Sequence, residues 1–282
     1  MGSNDHCPLY FGFSSGFFTY GKYGRRPFNL REYWQQKLFR LGFTLLLINT
    51  FLLILFLIQD RANIWSWHTL INVFGFSGYF TFFQIPNKSP FGRGLWFLTL
   101  LLIFYLVFPI LKYLNQRRYL SYLWAVLSAF LTCYLQEKVV LEIMLWPTAL
   151  GFVGGIFSGR NGIKLPISIS TAIVVAVLSL FLFLNYYLGI KTFNFYFILT
   201  LSLASVYWLM NIRLPTAILR YFSFFSICVL EIYIIHSYLI VKGNNSQVIN
   251  FTASVVLILF TAKLLQIIAS LLKNRLLSVS SG

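Results

Sequence analysis

Apolar residues fall in long runs at about 8–20, 41–58, 67–84, 95–111, 119–136, 139–156, 165–185, 194–210, 221–241 and 249–272, and most Lys and Arg residues collect between them. An α-helix needs about 20 predominantly apolar residues to cross the hydrocarbon core of a bilayer, so most of these runs read as spans. The run 67–84 is weaker: its stretch WHTLINVFGFSGYFTFFQIP is broken by Gly75 and Gly78 and ends in Pro86. Whether it crosses decides the orientation of everything after it. The segment 21–40 carries Lys22, Arg25, Arg26, Arg31, Lys37 and Arg40, which places it in the cytoplasm by the positive-inside rule. If 67–84 crosses, the basic residues divide eleven inside and ten outside, with no bias. If it does not, the division is fifteen inside and six outside, with Lys263 left within a span. The second arrangement follows the rule, so 67–84 is expected to be a re-entrant or bundle-buried element on the outer side. There, protein or water satisfies the backbone that the glycines interrupt.

The predicted fold is an all-α, polytopic transmembrane helix bundle of about nine spans plus that element, in one domain over 1–282. An outer N-terminus and an odd span count lead us to expect that a span is missing from the front. Composition agrees with the membrane reading. Of 282 residues, 59% are hydrophobic and only 10% are charged, and the mean hydropathy is +0.77. Soluble domains carry about 25% charged residues, because their surfaces face water. The net charge of +16 belongs to the loops of a membrane protein, and no recognition segment or zinc-finger spacing points to nucleic acid. Cys7, Cys133 and Cys228 are far apart and imply no metal or redox site. No H-E-x-x-H, P-loop or G-x-S-x-G motif is present.

Within 21–40, Asn29 and Glu32 have the spacing of a capping box. Leu30, Tyr33, Trp34, Leu38 and Leu41 then recur at helical spacing. This predicts a basic interfacial cytoplasmic helix that continues into the span at 41–58. It reads either as an anchor on anionic lipid or as a mouth for a phosphate-bearing substrate. Two ionisable residues fall within spans. Glu231 lies ten residues beyond Tyr221, and Lys263 lies ten residues before Lys273. At 1.5 Å per residue both sit about 15 Å deep, near the midplane. A structural ion pair and a substrate or proton-handling role both fit them. His236 stands five residues beyond Glu231, and His68 lies in an aromatic interfacial stretch with Trp65 and Trp67.

Four segments, in order along the chain, resemble the acyltransferase type 3 integral membrane enzymes. In LWFLTLLLIFYLVFPIL, Trp96, Tyr105 and Pro109 have the family's spacing. In PLYFGFSSGFF, Ser15 and Gly16 resemble its phenylalanine-rich segment ending in Ser-Gly-Phe. REYWQQKLFRLG is similar to its basic segment, with Lys37 and Arg40 in matching places. SFFSICVLEIYIIHSYLIV is similar to its late Tyr-x-x-His segment, with Tyr233 and His236. The family has ten spans, and its first, which bears an arginine and a histidine base, is absent here. Leu101 and Leu102 stand where carboxylates are common, Gly42 lies near the place of a usual proline, and Glu231 replaces a small residue.

The resemblance implies an acyltransferase of polysaccharide biosynthesis: O-acetylation of a glycan or lipid-linked sugar in the bacterial inner membrane, in contact with membrane lipid. It implies no bound cofactor. Acetyl-CoA or another acyl-CoA would be the co-substrate, its phosphates held by Arg25, Arg26, Lys37 and Arg40. With the family's base absent, the catalytic residue is unassigned, His236 is the remaining candidate, and the chain as it stands is expected to be potentially inactive. A glycan or lipid-linked sugar transporter or polymerase, or a non-catalytic membrane partner, would share the span count and the charge bias.

Overall fold

The computed structural model describes residues 7–24, 27–92, 95–139, 145–163, 165–212, 215–241, 243 and 246–279. Among the described residues every regular element is a helix. They are α1 (Cys7–Tyr23), α2 (Leu30–Ile58), α3 (Trp67–Val73), α4 (Gly78–Phe82), α5 (Trp96–Leu114), α6 (Arg118–Lys138), α7 (Leu145–Asn161), α8 (Ile167–Leu182), α9 (Asn194–Asn211), α10 (Thr216–Ser226), α11 (Val229–Ile235) and α12 (Gln247–Val279). A π-helical turn, Phe183–Tyr187, extends α8. Among the described residues, four helices are long and apolar enough to cross a membrane: Leu30–Ile58, Trp96–Leu114, Ile167–Tyr187 and the Gln247–Leu272 part of α12. Large apolar side chains such as Ile58, Phe130, Tyr186 and Phe260 are turned outward, as lipid permits and water would not. The fold is a helical membrane bundle.

The Asn29 half of the expected capping box is found at the start of α2. Asn29 Oδ1 accepts hydrogen bonds from the backbone N–H groups of Arg31 (3.1 Å) and Glu32 (3.2 Å). Two orphan donors of the first turn are thereby satisfied. From this cap a single 29-residue helix runs through the basic segment into the apolar one.

The chain divides into two compact units, one of residues 1–33 and 103–213, the other of 34–102 and 214–282. In the first, α1 and α7 cross on glycine faces. A Cβ at Gly16 would lie 2.1 Å from the Phe152 carbonyl oxygen, and one at Gly155 would lie 2.1 Å from that of Phe13. Gly12 and Gly151 meet backbone oxygens in the same way. Each helix thus presents a Gly-x-x-x-Gly pair, so the backbones approach as closely as helices in lipid can. Near this crossing Phe104 of α5 stacks on Phe152 (centroids 4.5 Å apart, planes inclined by 11°). Arg160, in the last turn of α7, donates from Nε to the Asn115 carbonyl and from Nη2 to that of Gln116, both at 3.0 Å. A cation at the carbonyl end of α5 complements the helix dipole and caps groups that have no partner within the helix.

In the second unit, Leu41, Leu45, Ile48, Leu52 and Phe56 form one buried stripe of α2. Their spacing of three and four residues keeps them on one face. They pack with Leu95, Leu98 and Leu102 of α5, Ile234 and Ile235 of α11, and Ala262 and Leu265 of α12.

The run 67–84 forms no spanning helix. α3 has seven residues and α4 five, lengths of about 10 Å and 8 Å. Gly75 sits between them at φ +83°. The backbone groups freed by this break find partners on the flanking long helices. Asn49 Nδ2 of α2 donates to the Val73 carbonyl (2.9 Å). Thr99 Oγ1 of α5 donates to the Gly75 carbonyl (2.9 Å) and accepts from the Gly78 N–H (2.8 Å). Broken backbone is tolerated among spanning helices where protein satisfies it in this way.

One expectation needs correction. The run 221–241 is not a continuous helix: α10 ends at Ser226, α11 begins at Val229 and α11 stops after Ile235. Hydropathy alone could not show this, because the run contains no Gly or Pro. The physical reason for the second break is a side chain. His236 Nδ1 hydrogen-bonds the Tyr233 carbonyl, the acceptor next to those used by the helix's last N–H groups, and the chain tightens so that the Tyr238 N–H reaches only to Ile235.

Candidate functional site

Pro109 explains the geometry around Tyr105. A proline inside a helix has no N–H to give the carbonyl four residues earlier, and in α5 that carbonyl belongs to Tyr105. Tyr33, fully buried, supplies the missing donor: its hydroxyl hydrogen-bonds the Tyr105 carbonyl at 3.0 Å. Its ring is held by stacking on Phe108 (5.4 Å) and by edge contact with Tyr23 (5.0 Å). Lys112, one turn beyond, donates to the Tyr23 carbonyl (2.9 Å) and lies 4.5 Å over the Phe28 ring. The first turn of α2 is thereby locked to the proline turn of α5. Trp96 and Tyr105, nine residues apart, face opposite sides of α5, because nine steps of 100° bring the helix round by half a turn.

The second cluster lies where α11 ends. With Nδ1 donating to the Tyr233 carbonyl, a neutral His236 carries its lone pair on Nε2, and Ser237 Oγ lies 3.2 Å from that atom. Both side chains are half-buried. The Tyr233 ring lies 5.7 Å from the imidazole and meets Phe97 of α5 edge-on at 5.8 Å. Phe97 in turn contacts Trp96 edge-on. The Trp96 segment and the Tyr233–His236 segment, separate in sequence, are therefore joined through a chain of rings.

Glu231 is 94% buried, one and a half turns before His236. Cys228, at the start of α11, is fully buried. Glu231 is on α11 and Lys263 on α12, two helices that pack against each other, and the Lys263 ammonium lies 4.2 Å from the centre of the Phe224 ring.

Other predicted residues are distributed as follows. Lys37 is half-buried on α2. Arg25, Arg26 and the side chain of Arg40 lie outside the described residues. Gly16 serves the α1–α7 crossing, and Ser15 Oγ beside it is buried without a hydrogen-bond partner. His68 stacks between Trp67 and Phe80. Among the described residues no cluster of three or more His, Cys, Asp or Glu side chains forms a metal site.

A family model described as an acyltransferase domain matches residues 6–271, which takes in every cluster described above. The chain belongs to the acyltransferase type 3 family. No curated protein and no solved structure matches it. The family assignment gives the two clusters a common context: the Ser15–Gly16 and Tyr105–Pro109 parts of the family-like segments fall in the first unit. Trp96, Lys37, Tyr233, His236, Glu231 and Lys263 fall in the second.

Sequence reasoning missed Ser237, Tyr33 as the donor to the Tyr105 carbonyl, and the pair Asn49 and Thr99. The Gly-x-x-x-Gly pairs on α1 and α7 were readable as a spacing pattern. The roles of Tyr33, Asn49 and Thr99 depend on which helices become neighbours, and that of Ser237 on where α11 ends.

Proposed function

We propose that the protein is a membrane O-acyltransferase of the bacterial inner membrane that moves an acyl group, acetyl in the simplest case, from a cytoplasmic acyl-CoA to a hydroxyl of a glycan or lipid-linked sugar during polysaccharide biosynthesis. The family match across residues 6–271 is the observation that carries this reading. On it, His236 acts as the base. The tautomer favoured by the Tyr233 carbonyl leaves Nε2 able to take a proton, and a positioned imidazole suits general-base work near neutral pH. Lys37, with Arg25, Arg26 and Arg40, would meet the phosphates of the acyl donor, for which arginine gives forked, charge-assisted hydrogen bonds. Trp96, Tyr233 and their ring contacts hold the imidazole in place.

Deleting the gene should remove ester-linked acetyl groups from the surface glycan, read by proton NMR before and after mild base treatment. Restoring the wild-type gene should bring them back, and His236→Gln should not. Acetylation unchanged by deletion would sink the proposal.

A further inference from the structure

We infer that Ser237 is a nucleophile and carries the acyl group as a covalent ester between donor and acceptor. The inference rests on the acyltransferase reading and deepens it. An activated serine is recognised by a hydroxyl within hydrogen-bond reach of a base whose other nitrogen is oriented by a third group. Here the hydroxyl is Ser237 Oγ, 3.2 Å from His236 Nε2, and the orienting group is the Tyr233 carbonyl on Nδ1. The arrangement sits where α11 ends: His236 still has helical backbone angles, the next turn tightens so that the Tyr238 N–H bonds the Ile235 carbonyl, and at this helix end the side chains of 236 and 237 meet. In an unbroken helix, side chains at successive positions point about 100° apart and do not face each other. Both groups are half-buried, so they are open to a substrate while partly shielded from bulk water.

The chemistry balances without an oxidant or reductant. Nε2 takes the proton of Ser237 as Oγ attacks the thioester carbonyl of the donor. The carbon–sulfur bond breaks, and the proton passes from Nε2 to the departing CoA thiolate. Ser237 is then an acyl ester. In the second half, Nε2 takes the proton of the acceptor hydroxyl as its oxygen attacks the acyl carbonyl. The bond to Ser237 Oγ breaks, and Oγ recovers the proton. Two sequential transfers at one histidine let donor and acceptor occupy the site in turn.

The test uses the full chain in proteoliposomes with radiolabelled acetyl-CoA and no acceptor, followed by rapid quench and peptide mapping, together with glycan acetylation in cells. The expected result is label on the peptide containing Ser237 in the wild type and in Ser237→Cys. The label should be absent from Ser237→Ala and His236→Gln, with glycan acetylation down at least about 100-fold in both. Recovery of label in Ser237→Cys separates a nucleophile from a residue needed only for folding. Two results would overturn the relay and leave the acyltransferase reading standing: wild-type acetylation by Ser237→Ala, or acetylation by the wild type with no label at Ser237 on any time scale. Absence of both label and glycan acetylation in the wild type would overturn the two together.

Discussion

Replacing Tyr33 by Phe removes one oxygen and leaves the ring, so the stacking on Phe108 and the edge contact with Tyr23 are kept. What is lost is the hydrogen bond to the Tyr105 carbonyl. Tyr33 is 0% exposed, so water does not replace the hydroxyl, and Pro109 has no N–H to offer. The carbonyl loses the donor that replaces the proline's missing N–H, at a cost of about 1–3 kcal/mol. The same substitution in a Pro109→Ala background should behave differently. Alanine restores the N–H that bonds the Tyr105 carbonyl within the helix, so Tyr33→Phe should then cost less than about 1 kcal/mol. The two positions are therefore coupled, with an interaction free energy on the order of 1 kcal/mol or more in a double-mutant cycle. Reversible unfolding in mixed micelles, titrated with a denaturing detergent and followed by tryptophan fluorescence, measures all four corners of the cycle. Equal costs of Tyr33→Phe with proline and with alanine at 109 would refute the reasoning, because they would mean that the hydroxyl does not stand in for the missing N–H.

Three further outcomes are expected. Gly16→Ala forces the α1–α7 crossing apart, since its Cβ would meet backbone oxygen at 2.1 Å, and should cost about 1–3 kcal/mol, whereas Gly21→Ala, with open space around it in the same helix, should be stabilising by about 0.5–1 kcal/mol. Thermal unfolding of the two variants in detergent must therefore shift in opposite directions, and a common shift would contradict the packing argument. Thr99→Val keeps the shape but strands the Gly75 carbonyl and the Gly78 N–H, at about 1–3 kcal/mol, and limited proteolysis should show faster cutting in 74–92 than in wild type. For the intramembrane charges, Glu231→Lys and Lys263→Glu should each lower the yield of folded protein, and the double reversal should recover it. Double-reversal yields no better than the single variants would show that the two charges act independently.

How much of this was readable in the chain differs from element to element. The Asn29 cap and the single helix it starts were predicted from side-chain spacing and are found, because capping and helical periodicity act over three or four residues. The failure of 67–84 to span was also readable, from its glycines and from the division of basic residues along the chain. The interruption of 221–241 was not. Its cause is a histidine that turns back on the Tyr233 carbonyl three residues earlier, and hydropathy counts that residue only as mildly polar. Glu231 and Lys263 could be assigned a common depth from residue counts, but the packing of α11 on α12 belongs to the folded chain.

By itself, the sequence determined that the chain is an all-helical membrane protein, where most of its helices lie and which family its segments resemble, because hydropathy, capping and motif spacing are local properties that each stretch carries with it. The tertiary structure decided the partners: Tyr33 for the carbonyl that Pro109 leaves free, Asn49 and Thr99 for the broken backbone between α3 and α4, and glycine against backbone where α1 crosses α7. A polar group buried away from water has to be satisfied by whatever atom the packing brings within about 3 Å, and residues as distant as 33 and 105 meet only once the helices have assembled. The same holds at the proposed site, where the change in His236 from a residue in an apolar run to an oriented base beside Ser237 belongs to the folded chain.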